Sequence, residues 1–303
     1  MIQVLMGTCN GEAYLKEQID SILGQSIQQQ HKISLLVRDD GSSDGTLNIL
    51  AGYRDRLEWE AGENIGIVAN YFELLKRTSD KAEFVAFSDQ DDIWLPPKLE
   101  RAVKCLRVLD PAVPSLYCSR TMLMKGNHEA AGLWPSWDKP RPSWKNALVQ
   151  NIAVGCTIVI NKPARNLLIE RLPDPTGVIM HDWWIYLTIS AFGKVVFDPE
   201  AYILYRQHGN NAVGATDTIR GQWKRRLARF RSWDYGKIHR QAKLFHDLFK
   251  DQLETEQREV ITRFLDFPRT FAERLRHAWS TGLYRQSALE NMLLKWLIIS
   301  GRL

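Results

Sequence analysis

The 303-residue chain has only four cysteines, at positions 9, 105, 118 and 156. No two of them form a C-x-x-C pair, which argues against a zinc knuckle or a disulfide framework and fits a reducing compartment. Long hydrophobic runs are missing too: no apolar stretch approaches the roughly 20 residues needed to span a bilayer. Ile2-Gln3-Val4-Leu5-Met6 reads directly as a strand, with no signal peptide ahead of it. The expected location is therefore cytoplasmic, with room for peripheral contact at the inner face of a membrane. Net charge is small, +5, a mild attraction to anions. The basic run near the C-terminus has no nucleic-acid-reading module beside it, so no nucleic-acid partner is expected. With 45% apolar residues, the chain folds and can bury one large core or two modest ones.

What is present is organised around Phe87-Ser88-Asp89-Gln90-Asp91-Asp92-Ile93-Trp94. It follows the apolar run Phe84-Val85-Ala86-Phe87, short and β-prone enough for a buried strand, and precedes Pro96 and Pro97, which open a helix. Three carboxylates in four residues repel one another unless water or a cation relieves them. The Asp-x-Asp spacing suits a divalent ion such as Mg²⁺ or Mn²⁺, which takes carboxylate and phosphate oxygens. The plain alternative is a solvated acidic loop.

The stretch before it alternates strand and helix. Gly7-Thr8-Cys9-Asn10-Gly11 ends the first strand, and a helix follows with Leu15, Ile19, Ile22 and Leu23 on one stripe and Asn10 as its N-cap. A second strand, Ile33 to Val37, ends in Arg38-Asp39-Asp40 before the tight turn Gly41-Ser42-Ser43-Asp44-Gly45-Thr46 and the helix Leu47 to Tyr53. Leu57-Glu58-Trp59 reads as a short strand, and Asn64-Ile65-Gly66 as a turn into a helix with Val68, Phe72 and Leu75 inward. This is the pattern of a doubly wound, mostly parallel α/β sheet, in which ligands bind at the strands' carboxyl ends. Polar clusters at four successive strand ends would converge on one crevice.

Further on, Leu99, Val103, Leu106 and Leu109 form a helix stripe, and Ser115 to Met124 and Val154 to Ile160 read as strands. Trp134, Trp137 and Trp144 lie in a Trp- and Pro-rich stretch and either pack or stack on a sugar. Asp182, in Met180-His181-Asp182-Trp183, either caps a helix from Trp183 to Ala191 or does chemistry. Ala201 to Tyr205 is the last expected strand. After Gly214 the composition turns basic: Ile219, Trp223, Leu227 and Phe230 form an apolar stripe within 219–243, among Lys224, Arg225, Arg229 and Arg231. That helix suits either an anionic membrane surface or packing on its own domain. Leu289 to Ile299 reads as a final apolar helix.

The order T-x-N, D-D-G-S-S-D-G-T, N-x-G and S-D-Q-D-D-I-W resembles the family 2 glycosyltransferases of GT-A fold, and within them the bacterial rhamnosyltransferases of surface polysaccharide synthesis. The resemblance covers roughly residues 2 to 214. It implies an α/β, Rossmann-like GT-A catalytic domain over 1–214, with a nucleotide-sugar half over about 1–100 and an acceptor half over about 101–214. A basic helical extension over 215–303 follows. It implies a nucleotide-diphosphate sugar donor (TDP-rhamnose foremost, a UDP-hexose as the alternative), a divalent metal, Mn²⁺ or Mg²⁺, and an inverting transfer to a glycan or polyprenyl-linked glycan.

Carried over by position, the metal falls to Asp91 and Asp89, with His208 as a third ligand. Asp40 would accept the imide N–H of the base, with Asp39 as the alternative, and Gly7 and Thr8 would pass beside it. Cys9 stands where the family usually has Tyr. Asn10, Glu12, Asn64, Gly66, Asn70 and Gln90 fall on the donor side with them, and Arg206 would pair with phosphate oxygens. Asp182 matches the general base, and Trp94, His181 and Trp183 would face the acceptor. The other classes open to the chain are a catalytically silent nucleotide-sugar or glycan-binding scaffold and a nucleotide-sugar hydrolase. The oligomeric state is not fixed by the sequence.

Overall fold

The computed structural model describes residues 1–125, 129–137, 139–207, 235–266 and 270–301. Its first half winds β1 (Ile2–Thr8), α1 (Leu15–Leu23), β2 (Ile33–Asp40), α2 (Thr46–Gly52), β3 (Glu58–Gly62), α3 (Ile67–Lys76) and β4 (Phe84–Ser88). These strands pair in parallel in the order β3-β2-β1-β4. The inner strands β1 and β4 are covered on both faces, as parallel sheets require, while the edge strand β3 is partly exposed. Along β1, Leu5 enters one core while Ile2, Val4 and Met6 enter the other, the period-two alternation of a strand.

The second half makes the sheet mixed. It adds β5 (Ile93–Trp94), α4 (Lys98–Arg107), β6 (Ser115–Lys125), β7 (Glu129–Trp134), α5 (Trp144–Ala147), β8 (Val159–Asn161), α6 (Lys162–Glu170), α7 (His181–Phe192) and β9 (Lys194–Arg206). β8 runs antiparallel to both β4 and β6, β6 is parallel to β9, and β5 pairs antiparallel with the end of β9. The expected strand over 154–160 is shorter. Residues Gly155–Thr157 make a 3-10 turn, closed by Thr157 donating its N–H and its hydroxyl to the Val154 carbonyl, before β8 begins. Part of the Trp- and Pro-rich stretch pairs as β7.

α1 buries Leu15, Ile19 and Ile22, and α4 buries Leu99, Val103 and Leu106, the stripes their spacing dictates. Asn10 does not cap α1, which starts after Tyr14. The helices Tyr235–Phe249, Thr255–Leu265, Phe271–Ser280 and Ala288–Ser300 close the described chain. Phe245, Phe249, Ile261, Phe264 and Ile298 share one core with Leu5, Val85 and Trp184, so the C-terminal helices complete a face of the sheet. His208 and residues 219–234 of the basic stretch, with the expected boundary at 214, lie outside the described residues. No described helix is long and apolar enough to cross a membrane.

Candidate active site

The carboxyl ends of β1, β2, β3 and β4 open on one side of the sheet, and their loops are braced against one another. The Asp39 carboxylate, with no exposed surface, accepts from the Thr8 hydroxyl at 2.9 Å, the Ser42 N–H at 2.8 Å and the Ser42 hydroxyl at 2.5 Å. Asp40 accepts from Arg38 at 2.8 Å, the Ile65 N–H at 2.9 Å and the Gly66 N–H at 3.0 Å. Asn10, at a left-handed φ of 50°, accepts the Ser43 N–H; Glu12 accepts the Gly45 N–H, and the Thr46 hydroxyl accepts the Gly11 N–H. The Gln90 amide grips both backbone groups of Cys9 at 2.9 Å, lying where a side chain at Gly11 would stand.

These bonds bear on the expected donor residues: Thr8, Asn10, Glu12, Asp39, Asp40 and Gln90 are each engaged within the protein and shape the crevice. Asn70, 3% exposed, exchanges hydrogen bonds with Arg38. Gly7 and Cys9 remain half-buried, and Asn64 and Gly66 exposed, at the rim. Ile65 and Ile67, 44% and 42% exposed, add apolar surface there; their apolar character in a turn was the available signal in the sequence.

The acidic turn has the opposite character. Gln18, buried in α1, donates to the Ser88 hydroxyl at 2.8 Å, and the Tyr71 hydroxyl lies 2.7 Å from the Ser88 carbonyl and 3.2 Å from an Asp89 oxygen. Burial, then the charges of Asp91 and Asp182, push Asp89 up to about 7. Asp92 is 1% exposed; one oxygen accepts the Arg206 N–H at 3.3 Å, and the other has no hydrogen-bond partner among the described residues. Burial and the Asp89 and Asp91 charges raise it well above the ordinary carboxylate range. Ligand atoms of Asp89, Asp92 and Cys156 lie within 4.8 Å of one another.

This donor set fits a divalent cation. Asp89 and Asp92 of that cluster, with Asp91 between them in the turn, offer hard oxygens, and the raised Asp89 marks negative charge that a cation would relieve. Cys156 does not extend the set, because burial beside Asp92 and Asp89 keeps its thiol protonated. Lys98 stands near these buried acids, 1% exposed and 3.3 Å above the Trp94 ring. Burial lowers it to about 7 against the pull of Cys156 and Asp92. Arg206, expected on phosphate, clamps the turn: it donates to the Asp91 carbonyl at 2.9 Å and to Glu17 at 2.6 Å, and lies 4.6 Å from the Tyr14 ring.

Asp182 enters this same crevice in the first turn of α7, where its charge raises Asp89. Burial pushes Asp182 up to about 6, while bonds from the Trp183 N–H, at 2.6 Å, and the Asn151 side chain hold it down. Gly155 packs closely on this helix start: a Cβ there would come within 3.3 Å of His181 Nε2 and 3.5 Å of the Asp182 Cβ.

Two residues expected to face the acceptor are buried. Trp94 is 2% exposed in the core beneath Lys98. His181 is 2% exposed and stacks on Tyr71 at 3.8 Å, and burial drives it down to about 3, so it packs as a neutral ring. Trp183 stays half-buried, with its indole N–H on the Ala147 carbonyl at 2.6 Å. Sequence reasoning missed Tyr71, Asn151, Glu17 and Lys98, which act across the chain through partners no local motif announces.

Residues 3–167 match the model of the glycosyl transferase family 2. The chain is 30% identical over 239 residues to a dTDP-rhamnosyl transferase, RfbG, of Shigella flexneri, covering 73% of this chain and 77% of that protein. It is 28% identical over 169 residues to WfgD of Escherichia coli, described as a UDP-Glc:alpha-D-GlcNAc-diphosphoundecaprenol beta-1,3-glucosyltransferase, covering 55% and 62%. Among solved structures it is similar in fold to S. aureus TarS 1-349, with TM-score 0.59 and 17% identity over 99% of this chain and 79% of that one. A mannosyltransferase of Pyrobaculum calidifontis in complex with GDP-Man and Mn²⁺ gives TM-score 0.55 and 17% identity over 99% and 85%. With the family motifs on the crevice and an acid poised beside them, the chain belongs to glycosyl transferase family 2 and is a glycosyltransferase of GT-A fold.

Proposed function

We propose that the protein is a metal-dependent, inverting transferase that moves L-rhamnose from a TDP donor to a glycan or polyprenyl-linked glycan of the cell surface. The observation that carries the reading is Asp182, a half-buried carboxylate raised to about 6 within electrostatic reach of Asp89. A base of that strength is mostly ionised at neutral pH and still takes a proton readily. Its oxygen accepts the proton of the acceptor hydroxyl while the acceptor oxygen bonds to the anomeric carbon. The bond from that carbon to the diphosphate breaks on the opposite face, and its electron pair leaves with the phosphate.

Asp91 and Asp89 would hold the divalent cation, which when bound offsets the charge growing on the departing diphosphate. Tyr71 steadies Asp89, Arg206 fixes the turn through the Asp91 carbonyl, and Asn151 orients Asp182. The TDP-rhamnose donor follows the Shigella relative, and the polyprenyl-linked acceptor accords with the diphosphoundecaprenol in the description of WfgD. A UDP-hexose donor is the second reading, favoured by WfgD's UDP-Glc. Thermal-shift titrations with TDP and UDP in the presence of Mn²⁺ decide between them. Greater stabilisation by TDP supports the first reading, and greater stabilisation by UDP replaces it.

A further inference from the structure

The helices Phe271–Ser280 and Ala288–Ser300 pack together as a hairpin whose inner sides bury Ala278, Leu294, Leu297 and Ile298. Their outer sides are also apolar. Phe271, Trp279, Met292 and Trp296 are 67%, 59%, 69% and 47% exposed, and Leu275 and Leu289 add 44% and 36%. The spacing 271, 275, 279 on one helix and 289, 292, 296 on the other places each set on one face. Exposed apolar side chains grouped in this way on two packed helices mark an interaction site.

We propose that this face seats the protein on an anionic lipid surface. Paired tryptophans with an apolar body and a polar edge are the side chains that settle at a headgroup boundary. Cations border them: the Lys295 ammonium lies 4.7 Å from the Trp279 ring, and exposed Arg276 stands one turn before Trp279. The acid at this end, Glu273, is engaged in a capping box with Thr270. A second copy docked through the same face would set these cations against their own counterparts, whereas acidic headgroups complement them.

The hairpin is tied to the acceptor side of the crevice. Asn146 donates to the Tyr284 carbonyl at 3.1 Å, Gln150 accepts the Gln286 N–H at 2.8 Å, and Arg285 donates to the Val149 carbonyl at 3.1 Å. Asn151, the partner of Asp182, is the next residue along. A lipid surface under the hairpin is therefore braced to the neighbourhood of the base. The inference assumes no particular sugar, and it is tested without turnover.

The test is co-sedimentation of the full chain with vesicles of phosphatidylethanolamine and phosphatidylglycerol, against vesicles of phosphatidylcholine. The wild type pellets with the first and not the second. Two variants, Trp279→Ser/Met292→Ser/Trp296→Ser and Arg276→Glu/Lys295→Glu, each bind at least roughly tenfold less while melting at the wild-type temperature. Undiminished binding by the triple-serine variant overturns the proposal, as does a wild type that stays in the supernatant. A wild-type dimer by light scattering that the triple-serine variant splits overturns it too, by giving the face to a second copy.

Discussion

Two groups of acids stand at neighbouring strand ends and are treated in opposite ways. At the ends of β1 and β2, Asp39 receives three hydrogen bonds, from Thr8 and Ser42, and Asp40 three, from Arg38, Ile65 and Gly66. At the acidic turn and the start of α7, Asp89 and Asp182 are half-buried and Asp92 is fully buried; burial raises all three above the ordinary carboxylate range, Asp89 to about 7 and Asp182 to about 6. Acids held by partners in several loops brace the crevice, and acids raised by burial and by one another hold free energy available to a cation or a proton.

The sharpest way to break that contrast is Asp182→Asn. Turnover should fall by about 10² to 10⁴, the usual worth of a positioned base, while thermal stability stays level or rises because a strained charge is gone. Unchanged sugar transfer in a steady-state assay would remove Asp182 as base, and a marked drop in melting temperature would place it among the structural acids.

Asp39→Asn should do the reverse. It leaves buried donors unmatched and should cost about 1–3 kcal/mol in urea unfolding. A variant as stable as wild type would sink the idea that these bonds hold the crevice. Gly155→Ala should displace the start of α7 and lower kcat by about tenfold with little change in donor binding. Equal loss in donor affinity would show that the damage spreads beyond Asp182.

The gentlest test is pH. Turnover should rise with pH through about 6 as Asp182 ionises. Without metal, stability should move the other way. Asp182 and Asp89 have raised folded-state values, so their contribution is fully present below the ordinary carboxylate value and is lost as pH rises through about 6 to 7. Melting curves at several pH values in chelator check the sign, and a flat profile would mean the two acids are solvated.

The sheet's first half was legible because each strand is a short apolar run ending in a polar turn, and α1, α3 and α4 carry stripes at helical spacing. The acidic turn was legible as three carboxyls in four residues. What each polar residue touches was not. Gln90 and Cys9 are 81 positions apart, and Arg206 and Glu17 are 189 apart, so these bonds exist only once the sheet is assembled. Trp94 and His181 misled because they flank the motifs in sequence while their side chains point into the core.

The bracing of the loops around Cys9, Ser43, Gly45 and Gln90 bears on how such an enzyme can change its substrate. The side chains of Gln90, Asn10, Glu12 and Thr46 each hold the backbone of a neighbouring loop, so an exchange at one of them leaves a partner in another loop unmatched. Ile65 and Ile67 are different: the loop before α3 is anchored by main-chain N–H groups on Asp40, leaving both side chains interchangeable. Novelty in donor choice should therefore arise first at 65 and 67, a stretch of that wall where variety costs neither of the bonds to Asp40.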